Sequence, residues 1–221
     1  MNIKAWYENI YRSGYGTMYP ESHVIRFYEY FLKKKHIESA ERPTIFDFGC
    51  GNGTHQIYFA SKGFQVYGAD VSESAIDMAR ERIPEAGRNF VAIEPEQDID
   101  SLFNTKFDVI FANQSLYYLS DTGLARTLQQ MHSMLKDNGI VFFTMMGTKN
   151  YYYDLTDETC CDGLKKVHLP DRIGGCVSIN FTASEDELAR KLLPFRPGFI
   201  GYYDWVSPEG STFHYYFVGG K

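Results

Sequence analysis

Short apolar runs alternate along this chain with stretches whose apolar residues recur every three or four positions, which predicts strands alternating with helices. Strands are expected at Thr44–Phe48, Phe64–Ala69, Asn89–Ile93, Phe107–Ala112 and Ile140–Met145. Between them, Thr54–Lys62 carries Ile57, Phe59 and Ala60, and Gly63 suits a helix stop. Ser72 caps a helix over Ala75–Arg82 whose apolar face is Ala75, Ile76 and Ala79. A further helix, Thr122–Lys136, shows Leu124, Leu128, Met131 and Leu135 on one face and is expected to end at Asn138-Gly139. Strand-helix alternation of this kind implies a mainly parallel sheet with right-handed crossovers.

The two ends of the chain break the rhythm. Ser184-Glu185-Asp186-Glu187 reads as a capping box opening a helix, and Phe199–Trp205 and Thr212–Val218 read as aromatic strands joined in a hairpin by Ser207–Gly210. At the other end, Val24, Ile25, Phe27, Tyr28, Phe31 and Leu32 form an amphipathic helix. Before it, Trp6, Tyr7, Tyr11, Tyr15 and Tyr19, with Gly14 and Gly16, look too irregular for a helix face and too aromatic for a solvent tail. Two readings stand for that stretch: a lid over a bound ligand, or aromatic residues filling an outer groove.

The candidate chemistry begins where the first strand meets three alternating glycines. Gly49, Gly51 and Gly53 let the backbone turn sharply and approach a ligand closely, with helix N–H groups behind it, and Asp47 supplies an acceptor at the strand end. The spacing is one residue shorter than the Gly-x-Gly-x-x-Gly of dinucleotide-binding dehydrogenases, which points away from NAD. Asp70, just past the second strand, stands where a nucleotide-binding αβ unit places an acceptor for ribose hydroxyls.

The run Asp47-Phe48-Gly49-Cys50-Gly51-Asn52-Gly53 resembles the first motif of the class I S-adenosylmethionine-dependent methyltransferases. The resemblance implies an α/β fold with a seven-stranded, mostly parallel sheet in the order 3-2-1-4-5-7-6, helices on both faces and a C-terminal antiparallel hairpin. It implies S-adenosyl-L-methionine as cofactor and S-adenosyl-L-homocysteine as product, with Asp47, Gly49, Cys50, Gly51, Gly53, Asp70 and the adjoining Val71 around it. An acidic residue near the adenine falls in Glu94–Asp98; Glu96, with Gln97, fits best, while Glu94, Asp98 and a merely solvated acidic turn stay open. Tyr11 or Arg12 is placed to reach the methionine carboxylate. Asn113 opens the loop Asn113–Leu119, which is similar to that of small-molecule methyltransferases and lacks the Asn/Asp-Pro-Pro-Tyr motif of amide and nucleobase methylation. Tyr117 in this loop and His168, the single histidine of the long connection Gly147–Thr182, are the candidate catalytic groups, His168 serving as base for a hydroxyl acceptor.

Composition narrows the partners. At 221 residues the chain reads as one domain, divided into 1–38 (lid and helix), 40–146 (cofactor core), 147–182 (substrate insertion) and 183–221 (helix and hairpin). A net charge of −6 and no Lys/Arg-rich run argue against nucleic acid. The absence of an eighteen-residue apolar stretch and the polar, aromatic start argue against a membrane span or signal peptide, so a cytoplasmic protein is expected. The resemblance implies methyl transfer to nitrogen or oxygen of a small polar molecule, such as a sugar or nucleotide-linked intermediate; the alternatives are a non-catalytic binding or regulatory protein that keeps the fold and, less favoured, an NAD-dependent oxidoreductase. Nothing in the sequence bears on oligomeric state. Four cysteines, Cys50, Cys160, Cys161 and Cys176, form no Cys-x-x-Cys pair and no metal set is expected; Cys50 reads as packing inside the glycine loop.

Overall fold

The computed structural model describes residues 3–16, 18–33, 42–159, 161–169 and 175–221. Cys160, the boundary near residue 40 and parts of the 1–38 and 147–182 segments lie outside the described residues.

In chain order the elements are helix α1 (Ile3–Arg12); α2 (Ser22–Phe27), continued by a π-helical turn Tyr28–Leu32; β1 (Thr44–Phe48); α3 (Thr54–Ser61); β2 (Gln65–Asp70); α4 (Glu73–Arg82); β3 (Phe90–Ala92); β4 (Phe107–Ala112); α5 (Asp121–Met134); β5 (Leu135–Met146); β6 (Thr156–Thr159); β7 (Lys165–Leu169); β8 (Gly175–Ile179); α6 (Glu185–Lys191); β9 (Arg196–Tyr203); β10 (Val206–Ser207); β11 (Gly210–Ser211); and β12 (His214–Gly220). The main sheet runs β3-β2-β1-β4-β5-β12-β9. Counting only its seven strands, that is the expected order. The detail not expected is that five short strands lie outside it, in the sheets β6-β7-β8 and β10-β11. The pairings from β3 through β5 are parallel, and β12 pairs antiparallel with both β5 and β9.

Alternation along the central strands splits the core into two layers. Val109 and Phe111 of β4 pack with Phe27, Phe59 and Phe142 beneath α2 and α3. Their neighbours Ile110 and Ala112 pack with Leu124, Leu128 and Met131 of α5 and Leu188 of α6 on the opposite face. Side chains that alternate in direction by one residue oblige both faces of a parallel sheet to be covered.

Two boundaries depart from expectation. The tyrosine-rich start is helical: α1 precedes the turn at Gly14 and Gly16. Helix α5 stops at Met134 rather than at Asn138-Gly139, because Leu135 turns extended and pairs with Phe107. Lys136 Nζ then reaches Asp108 Oδ2 at 2.8 Å, and that same carboxylate oxygen accepts from the N–H of Thr44 at the start of β1. Propensity favoured one more helical turn, but strand pairing won.

Candidate active site at the carboxyl ends of the strands

At the end of β1 the chain turns through Gly49, Gly51 and Gly53, all at positive φ (78°, 52° and 77°). Neighbours explain two of them. A Cβ at Gly49 would fall 2.4 Å from Ser115 Cβ of the β4 loop, and one at Gly51 would fall 2.3 Å from the hydroxyl of Tyr11. Gly53 is different: it caps α3 and lies against Ala79 of α4, so it sets helix spacing and does not line the cavity. Asp70, at the end of β2, ties the loop down. Its carboxylate accepts the N–H of Gly51 at 2.8 Å and the N–H of Ser72 at 3.0 Å. Burial raises the Asp70 carboxyl, and the N–H groups of Ser72, Gly51 and Val71 oppose that rise.

Over this loop lies a cavity of about 410 Å³. Tyr11, Gly49, Cys50, Gly51, Asp70, Val71, Glu96, Gln97 and Asn113 line it, as do Tyr7, Tyr15 and Gly16 from the N-terminal segment. The acidic turn after β3 sorts itself by partner: Lys4 Nζ holds Glu94 at 2.6 Å, Asp98 turns away to accept from Gln130, and Glu96, at φ 65°, stays on the rim. Cys50 is buried and its thiol is pushed well up by burial, which keeps it protonated and inert.

Besides Gly53, four of the expected residues do not reach the cavity wall. Arg12 is one: its side chain is largely exposed and engages Glu8 and Ser74 on the outside, because the helical turn of α1 that points Tyr11 inward points Arg12 out. Tyr117 is a second; it is buried against Tyr118 and His214, while its neighbour Tyr118 takes the wall position. His168 is a third, exposed on β7 and paired with Asp157 outside the cavity. Asp47 lies just below the wall, 1 % exposed. Burial pushes its carboxyl up to about 6, and Oδ2 has no hydrogen-bond partner.

A polar cluster across the cavity from Asp70 was not foreseen. Glu21, before α2, accepts from Asn113 Nδ2 at 2.7 Å and Gln114 Nε2 at 2.8 Å. Its Oε2 lies 3.6 Å from His55 Nε2 and 3.7 Å from His23 Nε2. Burial would raise this carboxyl, yet the His55 and His23 rings and the Asn113 amide bring it down to about 2. His23, lowered by burial, donates from Nε2 to Asn113 Oδ1 at 2.9 Å and stacks on Tyr203 with ring centroids 3.9 Å apart. Glu21, His55, Asn113 and Gln114 all face the cavity, and His55 Nε2 is buried without a hydrogen-bond partner. Sequence spacing could have flagged only His55, two residues past the last glycine; Glu21 and Gln114 meet through the fold.

Residues 46–141 match the methyltransferase domain family. Over that span, somewhat less than half of the chain, the sequence is similar to methyltransferases. The protein named putative methyltransferase YqeM of Bacillus subtilis is 26 % identical over 151 residues, covering 67 % of this chain and 61 % of YqeM. The ubiquinone biosynthesis O-methyltransferase of Histophilus somni is 30 % identical over 105 residues, covering 45 % of this chain and 43 % of that one. This chain thus spans less than two thirds of these relatives. The magnesium protoporphyrin IX methyltransferase of Synechocystis, solved with S-adenosylhomocysteine bound, shares the fold at a TM-score of 0.66 with 14 % identity, over 99 % of this chain and 97 % of that one.

The site fits S-adenosylmethionine as cofactor. A close-approach glycine loop, a carboxylate at the end of β2, a rim acid and a buried carboxylate with an unpartnered oxygen suit, in turn, a methionine backbone, ribose hydroxyls, an adenine amino group and an ammonium group. Among the described residues no helix is long and apolar enough to cross a membrane.

Proposed function

We propose that this chain moves a methyl group from S-adenosylmethionine to a nitrogen or oxygen of a small polar molecule, a sugar or nucleotide-linked intermediate among the candidates, in the cytoplasm. The observation that carries this reading is one cavity with the glycine loop and Asp70 on one side and the Glu21–His55–Asn113–Gln114 cluster on the other. The cofactor, when bound, supplies an electrophilic methyl group on a sulfonium. The chain's part is proximity, in-line alignment and exclusion of water. Gly51 and the Tyr11 hydroxyl, in close contact, shape the cofactor side, with Asp47, Asp70 and Glu96 as acceptors.

His168 does not line the cavity whereas His55 does, which supports His55 as the base in this reading. A carboxyl held at about 2 is a weak base, so Glu21 serves better as the fixed anion beside an imidazole that receives the proton. Asn113 and Gln114 hold Glu21 in place from the β4 loop. An amine acceptor would need no such base, and the same carboxylate would then face its positive charge.

Calorimetric titration with S-adenosylmethionine, S-adenosylhomocysteine and NAD tests the cofactor, followed by transfer of a labelled methyl group to a panel of hydroxy acids, phenols, nucleotide sugars and amines. Binding of both sulfur ligands with transfer to a panel member supports the proposal. Binding of NAD alone overturns it, and tight cofactor binding with no transfer would leave a binding protein on a methyltransferase fold.

A further inference from the structure

His168, displaced from the cavity, is the centre of a second cluster. It lies directly across the β7–β8 ladder from Cys176, whose Sγ is 3.2 Å from His168 Nδ1. On the other side of the ring, Nε2 is 2.5 Å from Asp157 Oδ2 on β6. Thiol, imidazole and carboxylate therefore stand in line, each from a different strand, in the order nucleophile, base and orienting acid. The His168 and Asp157 side chains are 49 % and 43 % exposed and Cys176 is half-buried, so a reagent can reach the sulfur. None of the three lines the cavity.

Structural duty explains this arrangement poorly. An exposed His–Asp pair contributes roughly 0–1 kcal/mol, and it does not require a cysteine at the remaining nitrogen. Metal binding does not account for it either. Among the described residues no group of three His, Cys, Asp or Glu side chains is arranged to hold an ion; here the imidazole stands between thiol and carboxylate. Acyl transfer would need donors aimed at a developing oxyanion, whereas disulfide exchange needs only an activated thiol, access and a leaving thiol. Lys166, two residues before His168 and so on the same face of β7, adds positive charge that favours an anionic partner.

We propose that Cys176 is a reactive thiol, with His168 as its base and Asp157 as a positioning residue, that forms mixed disulfides with low-molecular-weight disulfides carrying carboxylates. His168 takes the thiol proton and the Cys176 sulfur attacks one sulfur of the disulfide. The new S–S bond forms as the old one breaks, and the departing thiolate takes the proton from His168. Cys176 is oxidised and one half of the disulfide is reduced to free thiol, so no other oxidant is required.

The test uses the whole chain and oxidised glutathione, with adducts quantified by peptide mass mapping and exposed Cys161 as internal reference. Cys176 is expected to react at least ~10-fold faster than Cys161 near pH 7. His168→Gln should bring the two rates within about twofold. Asp157→Asn should slow Cys176 partly and change the pH profile of its labelling, leaving Cys161 unaffected, which loss of a merely structural contact would not do. Iodoacetamide labelling of the unmodified chain across pH gives a reading that does not depend on the variants folding: a Cys176 profile distinct from that of Cys161 supports the proposal. Equal rates and equal profiles at the two cysteines, or a Cys176 rate indifferent to His168→Gln, would overturn it. Cofactor titration of the same samples shows separately whether the methyltransferase reading stands.

Discussion

Asp47 illustrates how a single side chain couples stability to binding. A buried carboxylate with one unpartnered oxygen and a carboxyl near 6 is a cost to the fold, which a cationic ligand group would relieve under the proposed function. Asp47→Asn is expected to raise the thermal midpoint, by about 1–3 kcal/mol in stability, while weakening S-adenosylmethionine binding. Paired melting and calorimetry check this, and an unchanged midpoint with full affinity would remove the role. Gly51→Val combines a left-handed backbone, costing roughly 1–2 kcal/mol, with a collision with Tyr11. It should abolish cofactor binding in a protein whose circular dichroism is unaltered. Gly53→Ala, at a φ of 77° and facing Ala79 at 3.1 Å and Ile83 at 3.7 Å, should cost stability more than affinity. His55→Asn should lower methyl transfer to hydroxyl acceptors on the order of 10²-fold and leave cofactor affinity within about twofold, as expected for loss of a general base.

At the scale of elements, α1 is latched rather than merely resting on the domain. Glu8 accepts from the hydroxyls of Ser72 (2.8 Å) and Ser74 (2.5 Å) and from the Ser74 N–H (3.1 Å) at the start of α4, while Lys4 holds Glu94. Ser74, against burial and with Ser72 and Arg12 assisting, holds the Glu8 carboxyl down to about 2. A lowered carboxyl adds stability above its unfolded value near 4.5 and loses it as pH falls towards 2, so the latch is expected to hold at neutral pH and release in acid. Glu8→Ala should speed hydrogen exchange over residues 3–16 at neutral pH and raise the cofactor off-rate, with exchange in β1 and β4 unchanged. A variant exchanging like the wild type would show that α1 is held by its tyrosines alone.

Across the whole molecule, His214 sets one part of the acid response. Burial lowers it to about 4, with Nε2 unpartnered, so between the ordinary imidazole value near 6.5 and 4 the unfolded chain binds a proton that the folded one refuses. Stability from this group is therefore lost as pH falls through that window. Asp47 acts in the opposite sense, since a raised carboxyl takes its proton in the folded state first. Urea midpoints for the wild type and His214→Phe at pH 7 and pH 5 isolate the histidine: the variant should lose less stability on acidification. Much of this architecture was legible in the chain itself. Strand-helix alternation, the glycine loop, Asp70, the Ser72 and Ser184 caps and the closing hairpin are local patterns, set by side-chain periodicity, backbone freedom and capping chemistry within a few residues. The end of α5 was not legible, because Leu135 answers to Phe107 across the sheet. Neither was the inward turn of Tyr11 against the outward turn of Arg12, the Glu21–His55–Gln114 wall, or the pairing of Cys176 with His168. Each of these joins residues far apart in the chain, and their meeting depends on crossover handedness, strand register and helix docking, which only the folded molecule decides.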